Sequence, residues 1–145
     1  MSFFIRPFQL TDTDTVIALW QTCNLTRSWN NPERDILRKL NERPELFLVG
    51  EVAGRVVATC MAGYEGHRGW INYLAVHPDY QKQGYARQLM ALAEERLLAI
   101  GCPKVNLQIR TDNLTAQAFY HAIGYKTDAV ISLGKRLIED KIRHD

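Results

Sequence analysis

The chain has 145 residues, of which 46% are hydrophobic and 23% are charged, and its formal net charge is +2. This length is typical of one domain with one core, and we expect a single domain over residues 1–145. The composition is that of a soluble globular protein and excludes disordered, fibrous and membrane-spanning classes. Basic and acidic residues are interspersed without a basic stripe, which argues against nucleic acid as a partner.

The cysteines and the N-terminus bear on redox state and location. Cys23, Cys60 and Cys102 form no CxxC pair and lack histidines at zinc-ligand spacing, so we expect reduced thiols and no metal. The N-terminus has no apolar run of signal-peptide length, and no segment approaches about 18 apolar residues. These features predict a cytoplasmic protein that does not bind membranes.

The beginning of the chain predicts a strand followed by two helices. Phe3 to Arg6 alternates weakly, as in a strand. Thr11 followed by Asp14 is typical of a capping box that opens a helix. After a polar loop, Asn31 and Pro32 are the expected cap and first position of the second helix.

Three antiparallel strands are predicted next: Leu46 to Val52, Val56 to Tyr64, and Trp70 to Val76. The first two are joined by a tight turn in which Gly54 supplies the permissive backbone. A glycine-flanked turn, residues 65–69, joins the second to the third.

The second half of the chain alternates helix and strand. From Ala86 the apolar positions recur at helical spacing until Gly101. Val105 to Ile109 alternates as a strand, and a shorter helix capped by Asp112 or Asn113 follows. The end of the chain, Lys126 to Leu137, predicts one long strand or two short ones.

The segment from Leu74 to Ala86 carries the most chemical information. It contains Gln81-x-x-Gly84-x-Ala86 where a strand gives way to a helix. A helix N-terminus presents unpaired N–H groups and the positive end of the macrodipole, and small residues let a diphosphate approach the backbone. The pattern therefore favours a diphosphate site, although an ordinary strand-to-helix turn has the same pattern.

This turn, after a strand ending in Val-His-Pro, resembles the pyrophosphate-binding motif of GNAT superfamily acetyltransferases. The resemblance extends from Phe4 to about Leu137 with the same order of elements, and residues 63–69 and 132–140 are similar to the bacterial YpeA-type subgroup. It implies a mixed α/β GNAT fold: a central, mostly antiparallel, twisted sheet of about six or seven strands flanked by about four helices. It also implies transfer of an acetyl group from acetyl-CoA to a primary amine, by a monomer or homodimer.

The resemblance assigns the cofactor site. The backbone of the last β-strand before the turn should bind the pantetheine arm as an added strand would. Asn113 is an implied cofactor contact, and simple N-capping of the helix is an equally good alternative. For Lys82 and Arg87, which flank the turn, the alternative to a phosphate contact is a solvated surface charge. Lys82 stands where the family usually has glycine, which leaves the turn geometry open. The implied cofactor-binding residues are Leu74, Ala75, Val76, Gln81, Lys82, Gln83, Gly84, Tyr85, Ala86, Arg87 and Asn113.

Acetyl transfer needs an unprotonated amine and an acid that protonates the departing thiolate. The resemblance implies that Tyr120 is that acid; the alternative is a core aromatic on an amphipathic helix. Many family members carry a glutamate on the strand before the turn, whereas this chain has Asn72 and Tyr73. Glu65 and His67 in the preceding turn are the candidate bases, with a water relay as a third option and exposed turn residues as the alternative.

The missing glutamate favours a second reading, a non-catalytic acyl-CoA-binding sensor or interaction module of the same fold, which Tyr120 opposes. No cysteine is placed by motif to carry the acyl group, so we expect direct attack of the amine on the thioester.

The family fold places the acceptor between two segments: the loop that joins the first two helices, and the turn at residues 65–69. Trp29, Tyr64 and Arg68 are the candidate acceptor-binding residues, and aromatic packing of the loop is the alternative. Cations in this region hint at an acceptor that carries a carboxylate or phosphate. A small amine, a protein N-terminus and a lysine side chain all stay open.

Overall fold

The computed structural model describes residues 2–140, and its regular elements follow the predicted order. Five strands form one sheet, in the order β1-β2-β3-β4-β5. The strands are β1 Phe3–Pro7, β2 Phe47–Val52, β3 Arg55–Tyr64, β4 Gly69–Val76 and β5 Val105–Leu107. Four α-helices accompany them: α1 Thr13–Thr22, α2 Pro32–Lys39, α3 Tyr85–Ala99 and α4 Leu114–Ala122. Short 3-10 turns occupy Leu10–Asp12, Pro44–Leu46 and Pro78–Tyr80.

The sheet is antiparallel from β1 to β4, and β5 lies parallel to β4. Its two faces carry separate cores. On one face, Leu89 and Leu97 of α3 pack with Tyr120 of α4. On the other, Trp20 of α1 packs with Ile36 of α2. The mixed α/β fold with four helices is therefore confirmed.

The caps of α2 and α4 confirm two predicted helix starts, but the predicted capping box of α1 is wrong. Asn31 Oδ1 accepts a hydrogen bond from the amide of Arg34 at 3.2 Å, with Pro32 at the first helical position. Before α1, Asp12 rather than Thr11 is the anchor: its carboxylate accepts from the amide of Gln9 at 2.8 Å and from both terminal nitrogens of Arg6. This ion pair fixes the chain one turn ahead of the helix.

The strand number is lower than expected, with five among the described residues instead of six or seven. The segment Lys126 to Leu137 forms no strand, because it makes no backbone ladder with β5. It is tied to that region by side chains, for example Lys104 Nζ to Asp128 Oδ2 at 2.8 Å. Among the described residues, no helix combines the length and the apolar character needed to cross a membrane.

Candidate active site

The sheet opens next to the predicted diphosphate turn. β4 pairs with β5 only through Gly69, Trp70 and Ile71, and within residues 2–140 its remaining part, 72–76, has no strand partner on that side. The pairing of β3 with β4 shifts register between Thr59 and Met61. Such a bulge re-aims a strand, so it leaves an edge of β4 free over residues 72–76.

A hydrogen-bonded relay holds this bulge. Tyr73 has φ +52°, a conformation that is costly for a residue other than glycine. Its carbonyl accepts from Thr59 Oγ1 at 2.8 Å, and that oxygen accepts from Trp20 Nε1 at 2.9 Å. The Tyr73 ring stacks on that of Trp20, with 3.7 Å between the ring centroids, and the Tyr73 hydroxyl donates to Asp35 Oδ2 at 2.6 Å. Four contacts from α1, α2 and β3 thus offset the backbone strain.

The turn between β4 and α3 leaves the start of α3 open. Gly84 has φ +82° and no side chain caps the helix; its first turn contains no acidic residue. Lys82 also has a positive φ, +64°, which accounts for the glycine usual at this position. Gln81 Nε2 donates to the carbonyl of Val76 at 3.0 Å and ties the turn to the strand end. The unpaired N–H groups and the helix dipole make this an anion-binding terminus.

The predicted pantetheine edge lies on the free part of β4. Ala75 and Val76 pair with Thr59 and Ala58 of β3, which leaves their other side toward the opening. The carbonyl of Val76 already accepts from Gln81 and from the Cys23 thiol, at 3.4 Å. The carbonyl of Val76 is therefore already engaged within the chain.

Tyr120 lies on α4 with 8% of its surface exposed. Its ring contacts those of Phe119 and Tyr125 edge-on, at 5.2 and 5.7 Å. Burial, and secondly the nearby Cys60, raise the pKa of Tyr120 above its ordinary value. The hydroxyl is therefore protonated at neutral pH and is able to donate. At the start of the same helix, Asn113 Oδ1 accepts from the amide of Ala116 at 3.1 Å, which confirms its capping role.

The two candidate bases lie in the turn between β3 and β4. Glu65 Oε1 accepts from the amide of His67 at 2.9 Å and from the amide of Arg68. Both Glu65 and His67 are exposed. The carboxylate of Glu65 thus orders the turn, and its role as a base stays a prediction.

A cleft of about 680 Å³ lies on the α2 face of the sheet, beside β3 and β4. Of the three predicted acceptor residues, only Tyr64 lines it. Trp29 lies under the guanidinium of Arg110 at 5.5 Å, and Arg68 donates to the carbonyl of His67 at 3.0 Å. The lining residues are Lys39, Glu42, Arg43, Met61, Ala62, Gly63, Tyr64, Glu65, Gly66, Trp70 and Asn72.

Most of the cleft residues were not predicted as acceptor contacts, among them Lys39, Arg43, Trp70 and Asn72. Lys39 is half-buried, and burial lowers its pKa. Among the described residues, no carboxylate is within salt-bridge distance of its Nζ. In the sequence, Lys39 is a cation in the last turn of a helix, where such residues favour the macrodipole, so no pattern distinguished it. The sequence marks Asn72 only as a position where many family members carry a glutamate.

The described residues hold no group of three or more histidine, cysteine, aspartate or glutamate side chains arranged for a metal ion.

Comparison with known proteins agrees with this geometry. The GNAT acetyltransferase family matches residues 13–125. An acetyltransferase of Yersinia enterocolitica is 51% identical over 137 residues, which cover 94% of this chain and 97% of the relative. Ard1 from Thermoplasma volcanium is 29% identical with a TM-score of 0.80, over 89% of this chain and 86% of that one.

The fold also matches that of PaiA N-acetyltransferase from Thermoplasma acidophilum in complex with coenzyme A. The identity is 19% and the TM-score 0.71, over 90% of this chain and 94% of that one. The motif around Gly84, the opened sheet and a match that covers most of the chain lead to one conclusion: this chain belongs to the GNAT family of acetyltransferases.

Proposed function

We propose that this protein is a cytoplasmic, single-domain N-acetyltransferase that moves the acetyl group of acetyl-CoA to a primary amine by direct attack on the thioester. The observation that carries the proposal is the uncapped N-terminus of α3 beside the free edge of β4. A diphosphate and an extended amide-bearing arm need these two features side by side.

The backbone of the turn holds the cofactor. The N–H groups of Gln83, Gly84, Tyr85 and Ala86 point at the diphosphate, with the backbone of Gln81 at the start of the turn. Lys82 and Arg87 add positive charge near the phosphates. Leu74, Ala75 and Val76 pair with the pantetheine arm. Asn113 contacts the cofactor with the part of its side chain that the helix cap leaves free.

The reaction needs two proton transfers. The neutral amine attacks the thioester carbon, a C–N bond forms, and the C–S bond then breaks to release the CoA thiolate. Tyr120 donates its proton to that thiolate. Burial raises the pKa of Tyr120 and so keeps its hydroxyl protonated when the thiolate leaves, although the same shift makes it a weaker acid. The proton lost by the attacking amine later restores the tyrosine through solvent.

The amine is deprotonated without a strand glutamate. Asn72, at that position, lines the cleft and offers an amide rather than a carboxylate. Glu65 lines the same cleft and acts as the base through water, with His67 as the second candidate in the same turn. Because Glu65 also orders the turn, we expect its removal to affect both structure and turnover.

The acceptor occupies the cleft on the α2 face. Tyr64 lines this cleft, whereas Trp29 and Arg68 lie outside its lining. Lys39 and Arg43 supply cations, and Glu42 and Glu65 supply carboxylates. The half-buried Lys39 has no carboxylate within salt-bridge distance among the described residues, although Glu42 and Glu45 are close enough to act on its charge. This supports an acceptor that carries a carboxylate or phosphate in addition to its amine.

Calorimetric titration with acetyl-CoA and CoA tests the cofactor site, and thiol release from acetyl-CoA across a panel of primary amines tests the transfer. We expect micromolar binding of both ligands and turnover with at least one amine. Binding without turnover for any amine supports the non-catalytic sensor instead. Absence of binding, with no thermal stabilisation by either ligand, overturns both functions.

A further inference from the structure

Lys39 differs in its surroundings from the other lysines of the described chain. It is half-buried at the end of α2, whereas Lys82, Lys104, Lys126 and Lys135 are exposed. Within residues 2–140, its Nζ has neither a hydrogen bond nor a carboxylate at salt-bridge distance. Removing an ammonium from water without such a partner costs free energy. These surroundings therefore favour the neutral amine.

The charges around Lys39 act in both directions, and burial has the largest effect. Burial lowers the pKa of Lys39 against the attraction of Glu45 and Glu42, and the nearby Arg43 lowers it further. A neutral amine has a lone pair and is a nucleophile, whereas an ammonium is not. Desolvation and a neighbouring cation are the two means by which proteins activate a lysine as a nucleophile. Lys39 has both.

The room for the Lys39 amine comes from a glycine on β3. A Cβ added at Gly63 would lie 3.4 Å from Lys39 Nζ. Gly63 has no positive φ, so its backbone conformation does not require glycine. The missing side chain instead leaves space beside the strand, and the amine lies there against the face of the sheet that carries the cleft.

The Lys39 amine and the opening of the sheet share this cleft. Gly63 pairs with Trp70, and two residues along β3, Met61 pairs with Asn72. Asn72 is the first residue of β4 beyond its pairing with β5, and it lines the cleft together with Lys39 and Trp70. Two residues of a strand span about 7 Å. The flexible four-carbon stem of a lysine moves its amine over a comparable distance.

The proposed path of acetyl-CoA leads to the same place. Its diphosphate binds at the turn before α3, and its pantetheine arm follows β4 from Val76 to Leu74. The thioester at the end of this arm is thereby directed toward Asn72 and the cleft. An amine held in one cleft with a thioester reacts as an intramolecular partner, which removes much of the entropic cost of the encounter.

We propose that Lys39 is a site of self-acetylation, modified by acetyl-CoA bound to the same chain when no acceptor occupies the cleft. This inference rests on the proposed transfer function. The lone pair of Nζ attacks the thioester carbon, a C–N bond forms and the C–S bond breaks. Tyr120 protonates the departing thiolate, and the proton lost by Nζ passes to solvent, from which Tyr120 is protonated again. The products are an acetyl-lysine amide and free CoA.

The modification changes the charge of the cleft. Acetylation removes the positive charge of a lysine, which leaves Arg43 as the remaining cation among the described lining residues, beside Glu42 and Glu65. An anionic acceptor then loses one of its two charged partners. Self-acetylation therefore weakens the binding of such an acceptor when acetyl-CoA is present without it.

Mass spectrometry of the purified protein after incubation with acetyl-CoA tests the proposal. We expect one added acetyl group per chain, about 42 Da, on Lys39. It should form at least about 100-fold faster than on the exposed Lys126, since acid catalysis contributes about 10²- to 10⁴-fold. The first-order rate constant should be the same at about 1 and about 10 μM protein, because the reaction is intramolecular. Lys39→Arg should acquire no acetyl group at this rate.

Gly84→Glu separates enzymatic from purely chemical acetylation. Because this variant should not hold acetyl-CoA, modification of Lys39 should slow to the rate seen at Lys126. If circular dichroism shows that the variant does not fold, excess free CoA, which competes for the cofactor site of the wild type, replaces it and should have the same effect.

Three outcomes overturn the proposal: no preference for Lys39 over Lys126, a rate that is unchanged when the cofactor site is blocked, and a rate constant that rises with protein concentration. Calorimetry and the amine panel on the same sample separate this failure from that of the proposed function. Amine turnover with Lys39 unmodified overturns the self-acetylation alone. Absence of acetyl-CoA binding overturns the transfer function, and the self-acetylation falls with it.

Discussion

The two sides of β4 are built in different ways. The proposed cofactor side consists of one contiguous stretch, the turn between β4 and α3 with the last residues of β4, and it offers mainly backbone groups. The proposed acceptor side is the cleft, whose lining comes from the end of α2 and the residues after it, β3, β4 and the turn at 65–69, and it offers side chains. A site made of backbone groups depends on the local conformation of one segment, so the sequence of that segment contains a recognisable motif. A site made of side chains from elements that are distant in the chain has no such motif.

The largest expected effect comes from a charge placed in the cofactor turn. Gly84→Glu should weaken acetyl-CoA binding at least about 100-fold, because two like charges about 4 Å apart at a protein surface repel by about 4 kcal/mol. Gly54→Glu is the matched control: both glycines have φ near +80° and nothing within 4 Å of an added Cβ. Calorimetry should find normal affinity in the control. Equal loss in both variants would mean that strain, not the site, is responsible.

The next largest effect is expected for Tyr120, the proposed general acid, which belongs to neither the cofactor side nor the acceptor side. Tyr120→Phe should lower kcat about 100-fold with little change in the dissociation constant of acetyl-CoA. Because burial raises the pKa of Tyr120, wild-type kcat should hold on the alkaline side up to at least about pH 10. Tyr125→Phe loses its 2.6 Å hydrogen bond to Glu94 and should change kcat only a fewfold. Normal turnover of Tyr120→Phe would contradict the assignment.

A pair of lysine substitutions separates the two sides directly. Lys39→Met should raise the KM of an anionic acceptor roughly tenfold, the value of one charged hydrogen bond, and leave acetyl-CoA affinity unchanged. Lys82→Met should have the opposite pattern, with weaker acetyl-CoA binding and an unchanged acceptor KM. Steady-state kinetics with each substrate varied in turn measures both. If each variant affects both substrates equally, the two sides are not independent.

A smaller effect is expected where the two sides meet, at the bulge. Tyr73→Phe removes the hydrogen bond to Asp35 and should lower the free energy of unfolding by about 1 kcal/mol. Urea denaturation provides the measurement. Tyr80→Phe is the control, because its hydroxyl has no hydrogen-bond partner among the described residues. An unchanged stability of Tyr73→Phe would mean that the ring stack on Trp20 alone holds the bulge.

The smallest expected effect depends on pH. Hydrogen bonds from Arg38, and secondly from Arg34, lower the pKa of Asp140 to about 2. A lowered folded-state pKa stabilises the protein above the unfolded-state pKa of about 3.9, and this contribution disappears as the pH falls through about 2. The Tm advantage of the wild type over Asp140→Asn should therefore shrink between pH 4 and pH 2. If the Tm difference stayed constant between pH 4 and pH 2, the arginines would not lower the pKa of Asp140 in the folded protein.

The order of elements and the cofactor turn were predictable from sequence, because both are local. Helical spacing in α3 and the cap at Asn31 are properties of neighbouring residues. Tyr120 was also reached through its motif. The missed cleft residue Lys39 is different, since only the packing of α2 against the sheet brings its Nζ near Gly63. The segment from Lys126 to Leu137 was predicted as strand from its alternation, but a strand also needs a neighbouring strand to pair with, which a local pattern cannot supply.

The sequence by itself determined the family, the helices and strands up to β5, and the turn that presents α3 to an anion. Each of these rests on contacts within a few residues of the chain. Only the tertiary structure decided that β4 separates from β5 after Ile71, that Lys39 and Asn72 share a cleft, and that the segment after α4 forms no strand. These depend on contacts between residues far apart in the chain, and a one-residue bulge at Tyr73 is enough to change which groups meet.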